Sequence, residues 1–362
     1  MEEITDEERE TLLNTPTTVC DGIQFYHLAE AFENISKTSK VRDKTTKLLQ
    51  PALLAKIREK DESAYSFVRL AMPDADRERN GRYQVQIKKF ASLYAKVMQL
   101  PKHHADVLAL HSYKDPKFLQ GRTGAIAGDF ASVLYSVLRT RTRVHEEKVT
   151  IGEVNLYLDQ LIQAKTDQEK GLVLRTIYNK CSAMEQKWLA RIIFQDLKIG
   201  LSKNRLFRAF HQDAISLYDH CRDLKLVCAI LRDPSKRYTA KLSLFSACSP
   251  MLSKRLNTWA DARKWLGPRG PAPKVCIEDK LDGDRILLHK RGTEVKVFTR
   301  NCNDVTAKFG HFFQTYALEN LKVHECIVDG EFLPWDDRNK RFNEFGYLRM
   351  VVKQFNGTGT VT

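Results

Sequence analysis

Glu278-Asp279-Lys280-Leu281-Asp282-Gly283-Asp284-Arg285 is the stretch on which the reading of this chain turns. It lies between two β-like runs. Val275 and Ile277 precede it, Ile286-Leu287-Leu288-His289 follows, Lys290-Arg291-Gly292-Thr293 reads as a hairpin turn, and Val295-Lys296-Val297-Phe298 returns. A further strand, Cys326-Ile327-Val328-Asp329-Gly330-Glu331-Phe332, ends at a turn-rich segment, residues 334–340. Lys280, between a strand and a tight bend, is a candidate covalent nucleophile. An amine attacking phosphorus must be deprotonated near neutral pH, which asks for partial burial and for neighbouring cations such as Arg285 or a bound metal. Gly283 permits the bend and the close approach of a phosphate, while Asp282 can orient a reacting group or accept a proton. The bland reading of the letters Lys-x-Asp-Gly is a surface hairpin, because composition alone produces them in about one chain in ten of this length.

Upstream, the period of the apolar residues changes. From about residue 22 to residue 231 they recur at helical spacing, as in Phe25, Leu28, Phe32, Ile35 and in Phe90, Leu93, Tyr94, Val97, Leu100. Asp233-Pro234-Ser235-Lys236-Arg237, ahead of Leu242-Ser243-Leu244-Phe245, and then Gly267-Pro268-Arg269-Gly270-Pro271-Ala272-Pro273 interrupt the chain. The expected organisation is multidomain: an all-α domain over residues 1–237, then an α+β, antiparallel β-rich domain over residues 238–362.

A chain of 362 residues accommodates two or three domains, each with its own core. Lys and Arg number 59 against 45 Asp and Glu, a net charge of +14 that favours a polyanionic partner such as nucleic acid over acidic small substrates. The alternative is a soluble basic protein without such a partner. The 8 cysteines are scattered without a Cys-x-x-Cys pair, which argues for reduced, intracellular usage and against a zinc site. Met1-Glu2-Glu3-Ile4-Thr5-Asp6-Glu7 is acidic and lacks an apolar run, so no signal peptide is expected, and no run reaches the length of a membrane span. His103-His104 lacks further ligands at metal spacing and reads as a surface loop after Pro101.

Arg300-Asn301 closes the strand after the hairpin, and Asp329-Gly330-Glu331 closes a later one. A carboxylate at a strand end suits a ribose hydroxyl or a divalent metal that bridges phosphates. As an ordered set, Lys280 to Arg285, Arg300-Asn301 and Asp329-Gly330-Glu331 resemble motifs I, Ia and III of the nucleotidyltransferase superfamily of ATP-dependent DNA ligases and mRNA capping enzymes. Residues 182–202 read as one amphipathic helix, with Trp188, Leu189, Ile192, Ile193 and Leu197 as core stripe, Arg191, Gln195 and Lys198 as polar face and Gly200 as C-cap. That stretch is similar to a helix of the DNA-binding domain of eukaryotic DNA ligases. Gly121-Arg122-Thr123-Gly124-Ala125-Ile126-Ala127-Gly128-Asp129-Phe130 matches a ligase pattern too: a glycine-rich loop whose backbone N–H groups could hold DNA phosphates, or a plain helix-opening loop. Arg77-Glu78-Arg79, Leu93-Tyr94 with Leu100-Pro101, Gly128-Asp129-Phe130, Phe207, Phe210-His211 and Asp213-Ala214 resemble the end-joining branch, the ligase IV group, and the likeness runs from about residue 25 to residue 350.

This resemblance implies an all-α DNA-binding domain before an adenylation domain, ATP and Mg²⁺ as cofactors, the nucleus as location, and strand sealing in non-homologous end joining. Lys280 would attack the α-phosphate of ATP to form lysyl-AMP, AMP would pass to a DNA 5′-phosphate, and the 3′-hydroxyl would then displace it. Glu278 would read the adenine amino group, with Asp279 and Leu281 lining the pocket. Arg285 would contact ribose and later the nick phosphate, Glu331 ribose or metal, Arg300 the 5′-phosphate end, and Asp282 would orient the reacting hydroxyl. Arg191, Lys198, Gly124 and Gly128 are the implied DNA contacts. Partners would be DNA ends or nicks, an end-joining scaffold held by C-terminal domains absent from this chain, and a processing nuclease on the helical domain; no membrane is implied.

The chain also departs from the family pattern. Ser249-Pro250-Met251-Leu252 stands where these ligases carry Lys-Pro-Met-Leu, and Phe345 stands about where the end-joining branch has a lysine. The sequence stops at Thr362, before the later motifs, the oligonucleotide-binding fold and the tandem BRCT domains. The expectation is therefore the N-terminal part of a ligase. The other class it allows is a DNA-binding or partner-binding module with an inactive nucleotidyltransferase half.

Overall fold

Thr150, Thr166 and Ser182 each open a helix with a reciprocal capping box, closed by Glu153, Glu169 and Glu185. The helices so begun, Ile151–Gln163, Asp167–Lys180 and Ala183–Ile193, follow one another with turns of a few residues. Phe25, Leu28, Phe32 and Ile35 line one face of the Phe25–Lys37 helix and are fully buried, as their spacing requires. Phe32 meets Trp188 with ring centroids 5.0 Å apart, tying that helix to Ala183–Ile193.

The computed structural model describes residues 6–343 apart from 77, 80–82, 143, 145–147, 236, 239–243, 250–252, 254, 268–275 and 277. Contacts divide the chain into two compact units, Met1–Tyr218 with Asp223–Ala240, and Asp219–Arg222 with Lys241–Thr362. Among the described residues the first unit is helical, from Asp6–Leu13 to Leu224–Ile230, with one 3₁₀ turn at Pro116–Leu119. Arg79 is a buried brace, bonding the Asp159 carboxylate at 2.7 Å and the Asn155 side chain and carbonyl at 2.8 Å each. His104 caps the Ala105–His111 helix, its Nδ1 accepting from the Asp106 N–H. No described helix is long and apolar enough to cross a membrane. Arg77, Leu242, Ser243, residues 250–252 and 268–273, Val275, Ile277 and Phe345, all named above, lie outside the described residues.

The second unit is built on a three-stranded antiparallel sheet, order β2-β1-β3: β1 Asp284–Arg291, β2 Glu294–Thr299 and β3 Glu325–Phe332. Gly292 supplies the positive φ (55°) that the β1–β2 hairpin needs, and Arg291 pairs with Glu294 across it. Alternation sorts the side chains. Leu288, Val295 and Val297 pack with Phe313 and Ala317 of a helix, Thr306–Asn320, while Leu287 and Phe298 pack with Ala247, Cys248 and Cys302 on the other face. A second hairpin pairs Trp335–Asp336 (β4) with Arg341–Phe342 (β5) around the turn at 337–340.

His289 is fully buried on the Leu287 face; its Nδ1 accepts from the Phe245 N–H at 2.9 Å and its Nε2 has no partner among the described residues. A second proton would set an N–H against the Phe245 N–H, and burial already lowers the imidazole from 6.5 to about 4. Because the folded value is depressed, the unfolded chain binds the proton first, so stability present above pH 6.5 is lost as pH falls towards 4. The loss is expected to reach about 3 kcal/mol. Thermal unfolding between pH 7 and 4 checks this: His289→Gln should flatten that part of the profile, and an unchanged slope would contradict the assignment.

Candidate nucleotide and DNA-binding sites

Antiparallel pairing gathers the charged residues of the β-unit at one end of the sheet. Arg285 is opposite Glu331 in the β1–β3 register, and Leu287 is opposite Asp329. The Arg285 guanidinium grips Asp329, with Nε to Oδ1 at 2.7 Å and Nη2 to Oδ2. Those hydrogen bonds raise the arginine further above its ordinary range. The Gly283 N–H donates to Glu331 Oε1 at 3.1 Å, closing the bend before β1 onto the end of β3. Arg300, exposed just past β2, donates its backbone N–H to the Arg285 carbonyl at 3.1 Å. Lys280 Nζ lies 3.1 Å from Asp282 Oδ1.

Lys280 is not in the surroundings expected for it. Its side chain is 84% exposed, its ion-pair partner is the Asp282 carboxylate, and Arg285 is committed to Asp329. The physical reason is local: β1 begins at Asp284, and residues 278–283 run ahead of it held by the Gly283 N–H and by a Leu281 N–H to Asp279 carbonyl bond. Glu278, Asp279, Leu281 and Asp282 are exposed along the same segment. Glu331 keeps one carboxylate oxygen outside the Gly283 bond. No group of three or more His, Cys, Asp or Glu able to hold a metal occurs among the described residues. The described residues thus offer no all-protein cage; a divalent ion here would take most of its oxygen ligands from substrate phosphates and water, with Glu331 as the candidate carboxylate.

In the helical unit, the helix expected over residues 182–202 ends at Ile193. Gln195, Lys198 and Gly200 all take positive φ (56°, 52° and 67°), so residues 194–202 form a loop and Gly200 is no C-cap of that helix. Leu197 is half-buried in this loop. Arg191 is likewise not on an open polar face. It is buried, with Nη2 2.6 Å from Asp129 Oδ2, Nη1 2.8 Å from the Leu197 carbonyl, and its plane over the Trp188 ring at 4.9 Å. Lys198 is exposed, 3.7 Å from Asp129 Oδ1. Lys44, a residue that sequence periodicity does not single out, is buried and holds the Ile199 carbonyl at 2.8 Å.

Among the described residues, none of the backbone N–H groups of residues 197–204 donates a hydrogen bond within the protein. They lead into the Lys203–Phe210 helix, whose cap Ser202 makes no side-chain capping bond. An open cleft of about 350 Å³ lies beside them, lined by Ala71, Pro73, Asp74 and residues 195–203. The glycine-rich loop 121–129, where Gly124 and Gly128 have φ of 82° and 83°, precedes the Phe130–Leu138 helix. Asp129, at its N-cap position, makes no capping bond because its carboxylate serves Arg191.

The model of the DNA ligase N terminus matches residues 24–211, and that of the ATP dependent DNA ligase domain matches residues 250–361. The chain belongs to the ATP-dependent DNA ligase family. Among curated ligases it is 35% identical over 337 residues to "DNA ligase 4" of Arabidopsis thaliana, covering 92% of this chain and 26% of that one. It is 33% identical over 359 residues to "DNA ligase 4" of Gallus gallus (92% and 38%), and 32% over 333 residues to that of Dictyostelium discoideum (82% and 30%). The chain thus spans between 26% and 38% of the length of these relatives. Both family matches agree with the observed order, helical unit first and antiparallel sheet second.

Proposed function

We propose that this chain carries the DNA-binding unit and the nucleotidyl-transfer motifs of an ATP-dependent DNA ligase that seals double-strand breaks in non-homologous end joining. The observation that supports it most is the gathering of Gly283, Arg285, Arg300, Asp329 and Glu331 at one end of a single sheet, directly after Lys280. Lys280 Nζ attacks the α-phosphorus of ATP; a P–N bond forms, the bond to the bridging oxygen breaks and pyrophosphate leaves. Asp282, 3.1 Å away, takes the amine's proton. AMP then passes to a DNA 5′-phosphate, and the 3′-hydroxyl, oriented by Asp282, displaces it. Glu278 reads the adenine amino group, Asp279 and Leu281 flank the base, Arg285 meets the ribose, and Arg300 holds the 5′-phosphate end. Glu331 serves the ribose or the metal. Bound Mg²⁺ offsets phosphate charge and orients the triphosphate.

The helical unit holds duplex DNA by its backbone. The undonated amides of residues 197–204, the loop glycine Gly124 and Lys198 are its phosphate contacts, while Gly128, whose N–H is committed to the Tyr113 carbonyl, shapes the loop that presents them. The reading extends to the nucleus as location and to two partners, an end-joining scaffold and a processing nuclease on the helical unit. A second reading, a DNA-binding module without catalysis, draws on the exposure of Lys280.

Binding to nicked and blunt duplexes tests the DNA-binding part. Affinity is expected to fall steeply with salt and to be indifferent to sequence. Lys198→Ala should weaken binding and reduce the slope of log K against log salt by about one. Strong binding confined to one sequence would overturn the backbone-contact reading. Label transfer from α-labelled ATP separates the two function classes.

A further inference from the structure

Loops 121–129 and 194–202 lie far apart in sequence, yet one buried ion pair joins them, Asp129 to Arg191 at 2.6 Å. Arg191 spends its guanidinium inside the protein, on Asp129, on the Leu197 carbonyl and on the Trp188 ring. Beside the pair, Phe130, which follows the first loop, and Phe194, which begins the second, stack edge to face at 5.8 Å, and both touch Phe90. Loop 121–129 is itself fixed: Ser132 Oγ accepts from the Ile126 N–H at 2.9 Å and the Gly128 N–H donates to the Tyr113 carbonyl at 3.0 Å. Loop 194–202 is held at a second point by Lys44. A buried ion pair adds little net stability, because desolvation offsets its attraction, but it does specify which groups lie opposite each other.

We propose that Asp129 and Arg191 are positioning residues, a clamp that sets the spacing of the two DNA-contact loops and does not itself touch DNA. The inference rests on the proposed DNA-binding role of those loops. It reassigns Arg191 from contact to support, since its guanidinium is buried, with both terminal nitrogens committed to Asp129 and the Leu197 carbonyl, out of reach of a phosphate. The clamp presents the 197–204 amides and Lys198 at a fixed distance from Gly124 and Gly128, so losing it should misplace contacts without removing any.

The test uses the full chain with both residues made apolar, Asp129→Leu with Arg191→Met, so that no lone charge is left buried. Melting temperature is expected to hold within a few degrees, DNA affinity to fall about tenfold or more, and the salt slope to change by well under one. Without DNA, trypsin should cut after Lys198 about tenfold faster, reporting the freed loop. Wild-type affinity with wild-type cleavage overturns the clamp. A slope reduced by about one does so too, because Arg191 would then be meeting phosphate. If the wild-type chain binds no DNA, the DNA-binding reading falls, and the cleavage rate still decides whether the pair holds the loop. Should the double variant unfold, Arg191→Lys carries the test: it keeps the charge on Asp129 but cannot also hold Leu197, so intermediate cleavage supports the clamp and wild-type cleavage refutes it.

Discussion

The Lys280→Ala chain takes up no label from α-labelled ATP and Mg²⁺, remaining about 10³-fold or more below the unaltered chain. The effect is this large because the substitution removes the bond-forming atom itself. Lys280 Nζ is exposed enough for a triphosphate to reach, and Asp282 Oδ1 is the nearest oxygen for its proton. Lys280→Arg should fail as completely, since a guanidinium stays protonated and has no lone pair to offer. Asp282→Asn should cost about 10²-fold, because it keeps the shape and loses the base. The adduct has a chemical signature: a lysyl phosphoramidate is lost in acid but survives alkali and neutral hydroxylamine, whereas an acyl phosphate on Asp279 or Asp282 would be cleaved by both of the latter. Label persisting on the alanine variant, or removed by hydroxylamine, would sink the assignment of Lys280. An unaltered chain that takes no label but binds DNA would favour the non-catalytic module.

Local chemistry made much of the fold legible. The β1–β2 hairpin could be read from Gly292 between two alternating runs, and β3 from its β-branched residues, because strand pairing at short range follows turn chemistry. The β1–β3 register that brings Arg285 beside Glu331 is not set by that turn, because β3 joins the sheet only after the Thr306–Asn320 helix. The helix expected over 182–202 fails at Ile193 for a reason periodicity cannot see. Gln195 and Lys198 keep helix-like spacing in sequence while the backbone turns left-handed, and what stabilises that turn is non-local: Arg191, Lys44 and Asp129 hold it from elsewhere. Asp129 itself has the sequence signature of an N-cap, and nothing nearby signals that its carboxylate serves another helix. The Thr306–Asn320 helix went unassigned although Phe309, Phe313 and Ala317 recur at four-residue spacing; only the sheet face of Leu288 and Val297 shows that this stripe is covered. At the candidate nucleotide site the sequence singles out Arg285 and Glu331, which the sheet sets side by side, but not the commitment of Arg285 to Asp329 or the exposure of Lys280, since both depend on where β1 starts and what covers it.

Gly283→Ala is expected to damage the β-unit and leave the helical unit intact. A Cβ at Gly283 would lie 2.5 Å from the Phe332 carbonyl oxygen, 2.7 Å from Leu333 Cγ and 3.1 Å from Glu331 Cγ. The first contact cannot be relieved by a side-chain rotation. Phe332 is paired with Asp284 in the β1–β3 ladder, so its carbonyl moves only if the end of the ladder opens. Opening it breaks the Gly283 N–H bond to Glu331, which ties the bend after Lys280 to the carboxylate proposed for ribose or metal. Overpacking of this kind costs about 1–3 kcal/mol. Nucleotide uptake should fall about 10²-fold, since displacement of the reacting group by an ångström is enough for that. Urea unfolding followed in the β-unit, label transfer and duplex binding separate the effects, with duplex binding expected to stay at the unaltered level. Gly330, the glycine within Asp329-Gly330-Glu331, provides the contrast: a Cβ there meets nothing within 4 Å. Gly330→Ala should therefore label and unfold like the unaltered chain. If the two alanine variants behave alike, close backbone approach is not why Gly283 is a glycine, and the link between the bend and Glu331 loses its support.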